Sequence, residues 1–293
     1  MLAAWVGSVA IVVAQPLCAE SPPRAVTERD GAGRQVTIPP RPSRIVSLAP
    51  SVTEILFAVG AGDRVVGVTD FCDHPPEARS RTRVGGLIHP DLERIASLRP
   101  QLAIASTAGN YREDAERIEG LGIPVYTLAT SSLEEILQTV EKVGAIVGEE
   151  AAALQLSATL RDRVARVRQA AAARSRPRVL FVIEPEPLIA PGPETFVGEA
   201  LRIAGADLVS GGASSGWNQI DLEQVVAMNP DLILATPAHA AWARALPDSP
   251  AWRLIPAARE GRVRVISDAI QHPGPRLVDG IEEVSRLLQD GRD

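Results

Sequence analysis

A chain of 293 residues with 45% apolar residues has material for one large domain or two of ordinary size. A formal net charge of −6 without any basic block argues against nucleic acid as a partner. Aromatic residues are scarce, with four Trp, two Tyr and four Phe, so each one at a candidate pocket carries weight.

The first residues (1–19) have the form of an export signal. Leu2 to Ala14 is an apolar run of suitable length, too short to span a bilayer, and Ala14 or Ala19 offers a small residue at a cleavage point. The segment before that run carries no Lys or Arg. The expected location is periplasmic or otherwise exported. Cys18, preceded by Pro16-Leu17, keeps a lipid anchor as the alternative. Cleavage after Ala19 leaves Cys72 as the single cysteine, so the core must hold without an internal disulfide.

Residues 20–43 are rich in Pro, Arg and Gly, and Arg34–Ile38 reads as an edge strand. Arg44–Leu48 is a buried-strand run. A helix over Glu54–Val59 follows, capped from Ser51 or Thr53 and closed by Gly60. Val65–Val68, Leu102–Ala105 and Val125–Leu128 read as further strands. Between and after them come helices opening at Asp91, spanning Arg112–Leu121, and marked by Leu133, Ile136, Leu137, Val140 and Val143. Residues 149–174 then predict one long helix without Gly or Pro. Leu156, Leu160, Val164 and Val167 form its apolar stripe, and Gly148 and Pro177 bound it. Beyond it the pattern restarts: strand Arg178–Ile183, helix Thr195–Ala204, helix Asp221–Met228, strands Leu232–Ala235 and Val263–Ile266, and a terminal helix over Pro275–Leu288. Alternation of this kind predicts parallel sheets with crossover helices.

The second half echoes the first. Leu92 to Ala105 aligns without gaps on Leu222 to Ala235, and Glu54-x-Leu56-x-x-x-Gly60-Ala61 matches Glu199-x-Leu201-x-x-x-Gly205-Ala206. Two matches in the same order on either side of one long helix predict two similar α/β lobes. The expected division is a signal at 1–19, an N-terminal lobe at 20–148, a linking helix at 149–174 and a C-terminal lobe with its terminal helix at 175–293.

The run Arg44-Ile-Val-Ser-Leu-Ala-Pro-Ser-x-Thr-Glu-Ile-Leu-Phe57 resembles the opening motif of periplasmic binding proteins for metal-chelate nutrients. Asp73-His74-Pro75-Pro76, Val84-Gly85-Gly86 and the paired Leu-Glu…Pro…strand units add to the resemblance, which covers Arg44 to Leu288. That family serves ABC importers for cobalamin, haem and ferric siderophores, and the likeness is closest to its cobalamin-binding branch. It implies two parallel-sheet lobes joined by a single rigid helix, with a corrinoid-type small molecule carried between them. The metal chelate is then cargo, and no resident cofactor is expected. It also implies docking of one glutamate per lobe on the importer's permease, and Glu93 and Glu223 match those positions. Both also follow an Asp cap in a first helical turn, where a carboxylate is favoured by about 0.3–1 kcal/mol.

In such open sheets ligands sit beyond the carboxyl ends of the strands. The candidate binding residues on those loops are Pro50, Ser51, Phe71, Asp73, Leu87 and Ser106 in the first lobe. In the second they are Leu188, Trp217, His239, Asp268 and His272. Trp217, in a Gly/Ser-rich loop before the cap Asp221, is the leading candidate for an apolar ligand face; Trp242 and Trp252 are expected to be packing residues. Where the cobalamin-binding branch carries large aromatics, this chain has Leu87, Ser106 and Ala269. Phe71 stands for a tyrosine and His272 for a basic residue, which implies a wider pocket or a different corrinoid. A haem or ferric-siderophore carrier is the alternative, with His239 and His272 as candidate metal ligands. Neither His-Glu-x-x-His, Gly-x-Ser-x-Gly, a Walker loop nor a strand-following Gly-x-Gly-x-x-Gly is present, so the chain is expected not to be an enzyme. A monomer is expected. An α/β enzyme with a cleft active site and a non-transport interaction module are the remaining alternatives.

Overall fold

The computed structural model describes residues 25–212 and 216–290; the expected export signal and Cys18 lie outside them. The first lobe is built on a five-stranded parallel sheet. Its spatial order is Thr82–Arg83, Val65–Val68, Ile45–Ser47, Leu102–Ser106, Val125–Leu128. Ile45–Ser47 and Leu102–Ser106 are buried along their whole length, because crossover helices cover both faces. That explains why they read as unbroken apolar runs. The second lobe repeats the plan with four parallel strands in the order Asp207–Leu208, Arg178–Phe181, Leu232–Ala235, Val263–Val265.

The repeat extends to the backbone. Burial along residues 91–100 is the same, residue by residue, as along 221–230. Arg99 and Asn229, equivalent in the alignment, both have positive φ (46° and 41°) and both turn the chain into Pro and the next strand. Asp91 caps the helix Leu92–Ser97 by accepting from Arg94 N–H. Asp221 caps Leu222–Met228 by accepting from Gln224 N–H.

Several expected boundaries shift. The first helix is Pro50–Ala58, with Ala49 as a cap that makes no side-chain bond. Pro50 fills the first helical position, where its missing N–H costs nothing, so neither Ser51 nor Thr53 is needed as a cap. Arg34–Ile38 shortens to Gln35–Ile38 and pairs with a strand the sequence did not announce, Val26–Arg29. The region around Trp217 is a strand and not a loop: Trp217–Gln219 pairs antiparallel with Leu188–Pro191, which also pairs with Glu184–Pro185. The pairing of Trp217–Gln219 with Leu188–Pro191 joins segments more than 25 residues apart, so no local periodicity betrays it, and the other two are hairpins of strands of only two to four residues.

The linking helix spans Glu150–Ala172, about 34 Å at 1.5 Å per residue. Its buried positions Ala153, Ser157, Leu160, Val164, Val167 and Ala171 alternate steps of four and three, one stripe of an α-helix. At its start it packs on the preceding helix, Leu133–Val147, so tightly that a Cβ on Gly144 would lie 2.1 Å from that of Ala153. Arg161 reaches Glu134 (2.5 Å) and Glu141 (3.3 Å) of the first lobe. Arg163 reaches Asp279 (2.6 Å) and Glu282 (2.7 Å) on the terminal helix Leu277–Asp290 of the second. Partly exposed pairs of this kind contribute about 0–1 kcal/mol each, so they fix orientation more than stability. The stronger bond between lobes is apolar. Leu133, Ile136 and Leu137 of the first lobe belong to one buried cluster with Phe196, Val197 and Leu201 of the second.

Candidate functional site: a cleft between the lobes

The carboxyl ends of the first-lobe strands Ile45–Ser47, Leu102–Ser106 and Val125–Leu128 open on a cavity of about 620 Å³, whose second-lobe wall is made by Glu194–Phe196, Gly216–Trp217 and Gln271–Pro273, within the range of sites that enclose a small molecule. Each wall begins with a helix start. Pro50 and Ser51 open the helix Pro50–Ala58, and Thr195 and Phe196 open Phe196–Ala204. Thr130 and Ser131 lie just ahead of Ser132, which caps Leu133–Val147 by accepting from Glu135 N–H. Helix N-termini present N–H groups and partial positive charge to whatever occupies the space.

The apolar surfaces are Leu87 on one side and Phe196 with Trp217 on the other. Trp217 stands edge-on to Phe196, with ring centroids 6.4 Å apart at 85°, and remains 52% exposed. Phe196 underneath holds the indole while leaving a face to the cleft. On the first-lobe wall Ser106 accepts from Ala108 N–H and bonds the Thr130 hydroxyl at 3.1 Å. Asn110 accepts from Ser106 N–H. Its amide also donates to the carbonyls of Leu48 (2.8 Å) and Leu87 (2.9 Å), tying three loops of this wall together.

The charge balance of the lining is distinctive. Among the described residues it contains one carboxylate, Glu194, one imidazole, His272, and neither Lys nor Arg. His272 lies between two carboxylates: Nδ1 is 3.4 Å from Glu54 and Nε2 is 3.4 Å from Asp268. Burial pushes its pKa below the usual imidazole value, against the pull of Asp268, so the neutral ring is favoured. Below it Glu54, only 2% exposed at the side chain, faces Arg276 at 3.2 Å. Burial lifts the Glu54 carboxyl to about 7 although Arg276 opposes the rise. The same pairing, with Asp268, holds Arg276 above its ordinary value despite burial. Arg276 keeps more water contact, so burial is decisive only at Glu54.

Of the residues proposed from sequence, Pro50, Ser51, Leu87, Ser106, Trp217 and His272 are brought together around the cavity. The others are not among its lining residues. Phe71 is 59% exposed beyond the end of Val65–Val68. The Asp73 carbonyl accepts from Arg79. Leu188 packs against the apolar cluster of the second lobe around Leu180 and Ile233. His239 stands at the start of the short helix Ala240–Ala245 without a side-chain capping bond and lies 3.9 Å from Glu184. Asp268 stands behind His272 and accepts from Arg276 at 2.8 Å. Ala269 is buried and also away from the lining. Trp242 and Trp252 pack edge-on in the second-lobe core, 5.4 Å apart. Thr130, Ser131 and Glu194–Phe196 were missed, because the first precede a helix that was read only for its core face. The others depend on the unforeseen ribbon. Glu93 and Glu223 are exposed, each in the first turn of its helix, in matching positions on the two lobes.

Residues 45–269 match the family described as Periplasmic binding protein. The chain belongs to that family. An uncharacterized ABC transporter substrate-binding lipoprotein of Bacillus subtilis is 32% identical to it, over 90% of this chain and 85% of the relative. The crystal structure of the periplasmic vitamin B12 binding protein of Vibrio cholerae superposes with a TM-score of 0.76 at 26% identity. It covers 87% of this chain and all of that one. The periplasmic heme-binding protein of Roseiflexus sp. RS-1, in apo form, gives 0.77 at 27% identity, covering 86% and 99%. Membership makes this an exported substrate-binding protein, as its leading segment suggested. Among the described residues no helix is long and apolar enough to cross a membrane.

Proposed function

We propose that the protein captures cobalamin or a related corrinoid in the interlobe cleft and delivers it to an ABC importer. The observation that carries this reading over its haem and siderophore alternatives is the chemistry of the lining. A porphyrin with two carboxylates, or an anionic ferric chelate, calls for Lys or Arg, and the described lining of the cleft has neither. A corrin ring presents apolar faces and a rim of neutral amides. Leu87, Phe196 and Trp217 suit the faces, and hydroxyls and helix N-termini suit the amide carbonyls. A second observation points the same way. Haem needs an axial ligand, yet both nitrogens of His272 face carboxylates 3.4 Å away and neither Tyr111 nor Tyr126 lines the cavity. The small side chains Ser106 and Leu87 leave room that larger aromatics would fill, which favours tolerance toward corrinoids with different lower ligands.

Delivery would use Glu93 and Glu223. Two chemically equal carboxylates on repeat-related helices suit a permease whose halves are themselves related by two-fold symmetry. The protein acts as a monomeric carrier in this reading and has no chemistry of its own. The test is a titration followed by tryptophan emission. Corrinoids absorb where indole emits, so cyanocobalamin bound against Trp217 should quench to a one-to-one endpoint. Quenching that is unchanged in Trp217→Phe would count against this placement of the ligand.

A further inference from the structure

The sequence repeat singled out two glutamates that neither ligand capture nor docking absorbs. Glu54 and Glu199 hold matching positions in the helices Pro50–Ala58 and Phe196–Ala204. Both side chains cross from their own lobe to the other. Glu54 leaves the first lobe to face Arg276 (3.2 Å) and His272 (3.4 Å) of the second. Glu199 leaves the second lobe and accepts, at 2.8 Å, from the backbone N–H of Leu133, the first residue of a first-lobe helix. That N–H is one of the groups a helix cannot satisfy internally, so the bond gains from both hydrogen bonding and the helix N-terminus. Arg168 of the linking helix lies 3.9 Å from the same carboxylate.

Both crossings lie directly under the cleft. Ser51, one turn before Glu54, lines it, and so do Thr195 and Phe196, which precede Glu199. On the receiving side His272 and Ser131 line it, next to Arg276 and Leu133 respectively. Contact at the Glu54 crossing is close: a Cβ added to Gly274 of the second lobe would sit 3.4 Å from Glu54 Oε2 and 3.5 Å from Ser51. Any change of lobe angle must therefore alter one crossing or the other, and the walls of the ligand site move with them.

We propose that Glu54 and Glu199 are paired positioning residues, related by the internal repeat, that cross the lobe boundary in opposite directions and fix the width of the ligand cleft. This rests on the cleft being the ligand site, as argued above. It adds two polar crossings below the cleft to the linking helix and the apolar cluster the lobes share, so the lobe angle is fixed on the cleft side as well. It also links capture to delivery, since the same angle sets the spacing of Glu93 and Glu223.

The experiment places spin labels on the equivalent exposed positions Ser97→Cys and Ala227→Cys, in a Cys18→Ser background where Cys72 is buried. The label–label distance distribution is measured without ligand, and cyanocobalamin affinity is measured in parallel. The parent should give one narrow distribution. Glu54→Ala and Glu199→Ala should each broaden it and weaken binding about tenfold, the equivalent of one buried hydrogen bond, and the double variant should do more of both. Glu199→Gln, whose amide oxygen can still accept from Leu133 N–H, should restore the narrow distribution. Arg276→Gln, on the receiving side, should reproduce Glu54→Ala if that variant folds poorly. A narrow distribution in the double variant, or a broad one with parental affinity, overturns the proposal. Broadening in the variants when the parent binds no corrinoid overturns only the ligand assignment, because the distances are read without ligand.

Discussion

Glu54 should leave a clear signature in the pH dependence of stability. Its carboxyl titrates at about 7 in the folded chain because burial outweighs the attraction of Arg276, against 4.5 as the reference value. A carboxyl raised on folding stabilises most fully below its unfolded pKa, and that contribution is lost as pH climbs through the folded value. At about 1.4 kcal/mol per unit, the interval corresponds to roughly 3 kcal/mol in all, of which about 2–3 kcal/mol falls between about pH 5 and about pH 8. The groups that face this carboxyl are Arg276 and His272 directly, with Asp268 and Asp279 adding repulsion from farther off. Gln is nearly isosteric and does not titrate. Urea unfolding of the parent and of Glu54→Gln at both pH values should therefore show their stability difference moving in favour of the variant by about 2–3 kcal/mol as pH rises. Parallel profiles for the two proteins would refute the assignment of a charge forced into a dry lobe crossing.

Trp217→Ala should weaken corrinoid binding by about 2 kcal/mol, roughly thirtyfold, the scale of an aromatic anchor. The thermal transition should barely move, since the indole is 52% exposed; a large drop in Tm with intact affinity would make it a packing residue instead. Glu93→Ala combined with Glu223→Ala should abolish uptake in cells while calorimetry still shows normal binding. Normal uptake by that double variant would remove both from docking. Gly144→Val should cost about 3 kcal/mol in urea unfolding, because its side chain would enter the space of Ala153; a neutral result would mean the two helices separate easily.

Much of the architecture was legible because it is local. The linking helix, the strands of both sheets and the repeated Asp-Leu-Glu helix followed by Pro carry their signals within short windows. At Arg99 and Asn229 the repeat shows in the backbone handedness as well as in the letters. The site was legible in part: Pro50, Ser51 and Ser106 stand at or just beyond strand ends, and Leu87, Trp217 and His272 in the connecting segments named from sequence also reach the cavity. Phe71 and His239 also follow strands, but one faces solvent and the other turns toward Glu184 at the start of a helix. Nothing in the sequence separates those outcomes. Thr195 and Phe196 reach the cleft because a ribbon of distant segments positions them. The lobe crossings were invisible for the same reason. Glu54 was visible as half of a repeat, while its contact with Arg276 spans most of the chain.

The most direct test is isothermal calorimetry of the purified exported chain with cyanocobalamin, cobinamide and haemin in turn. A cleft with an apolar face, hydroxyl donors and no basic rim should bind one corrinoid per chain with micromolar or tighter affinity and show no specific response to haemin. Absence of heat with both corrinoids, together with a one-to-one spectral shift of haemin, would contradict the account and make this a haem carrier.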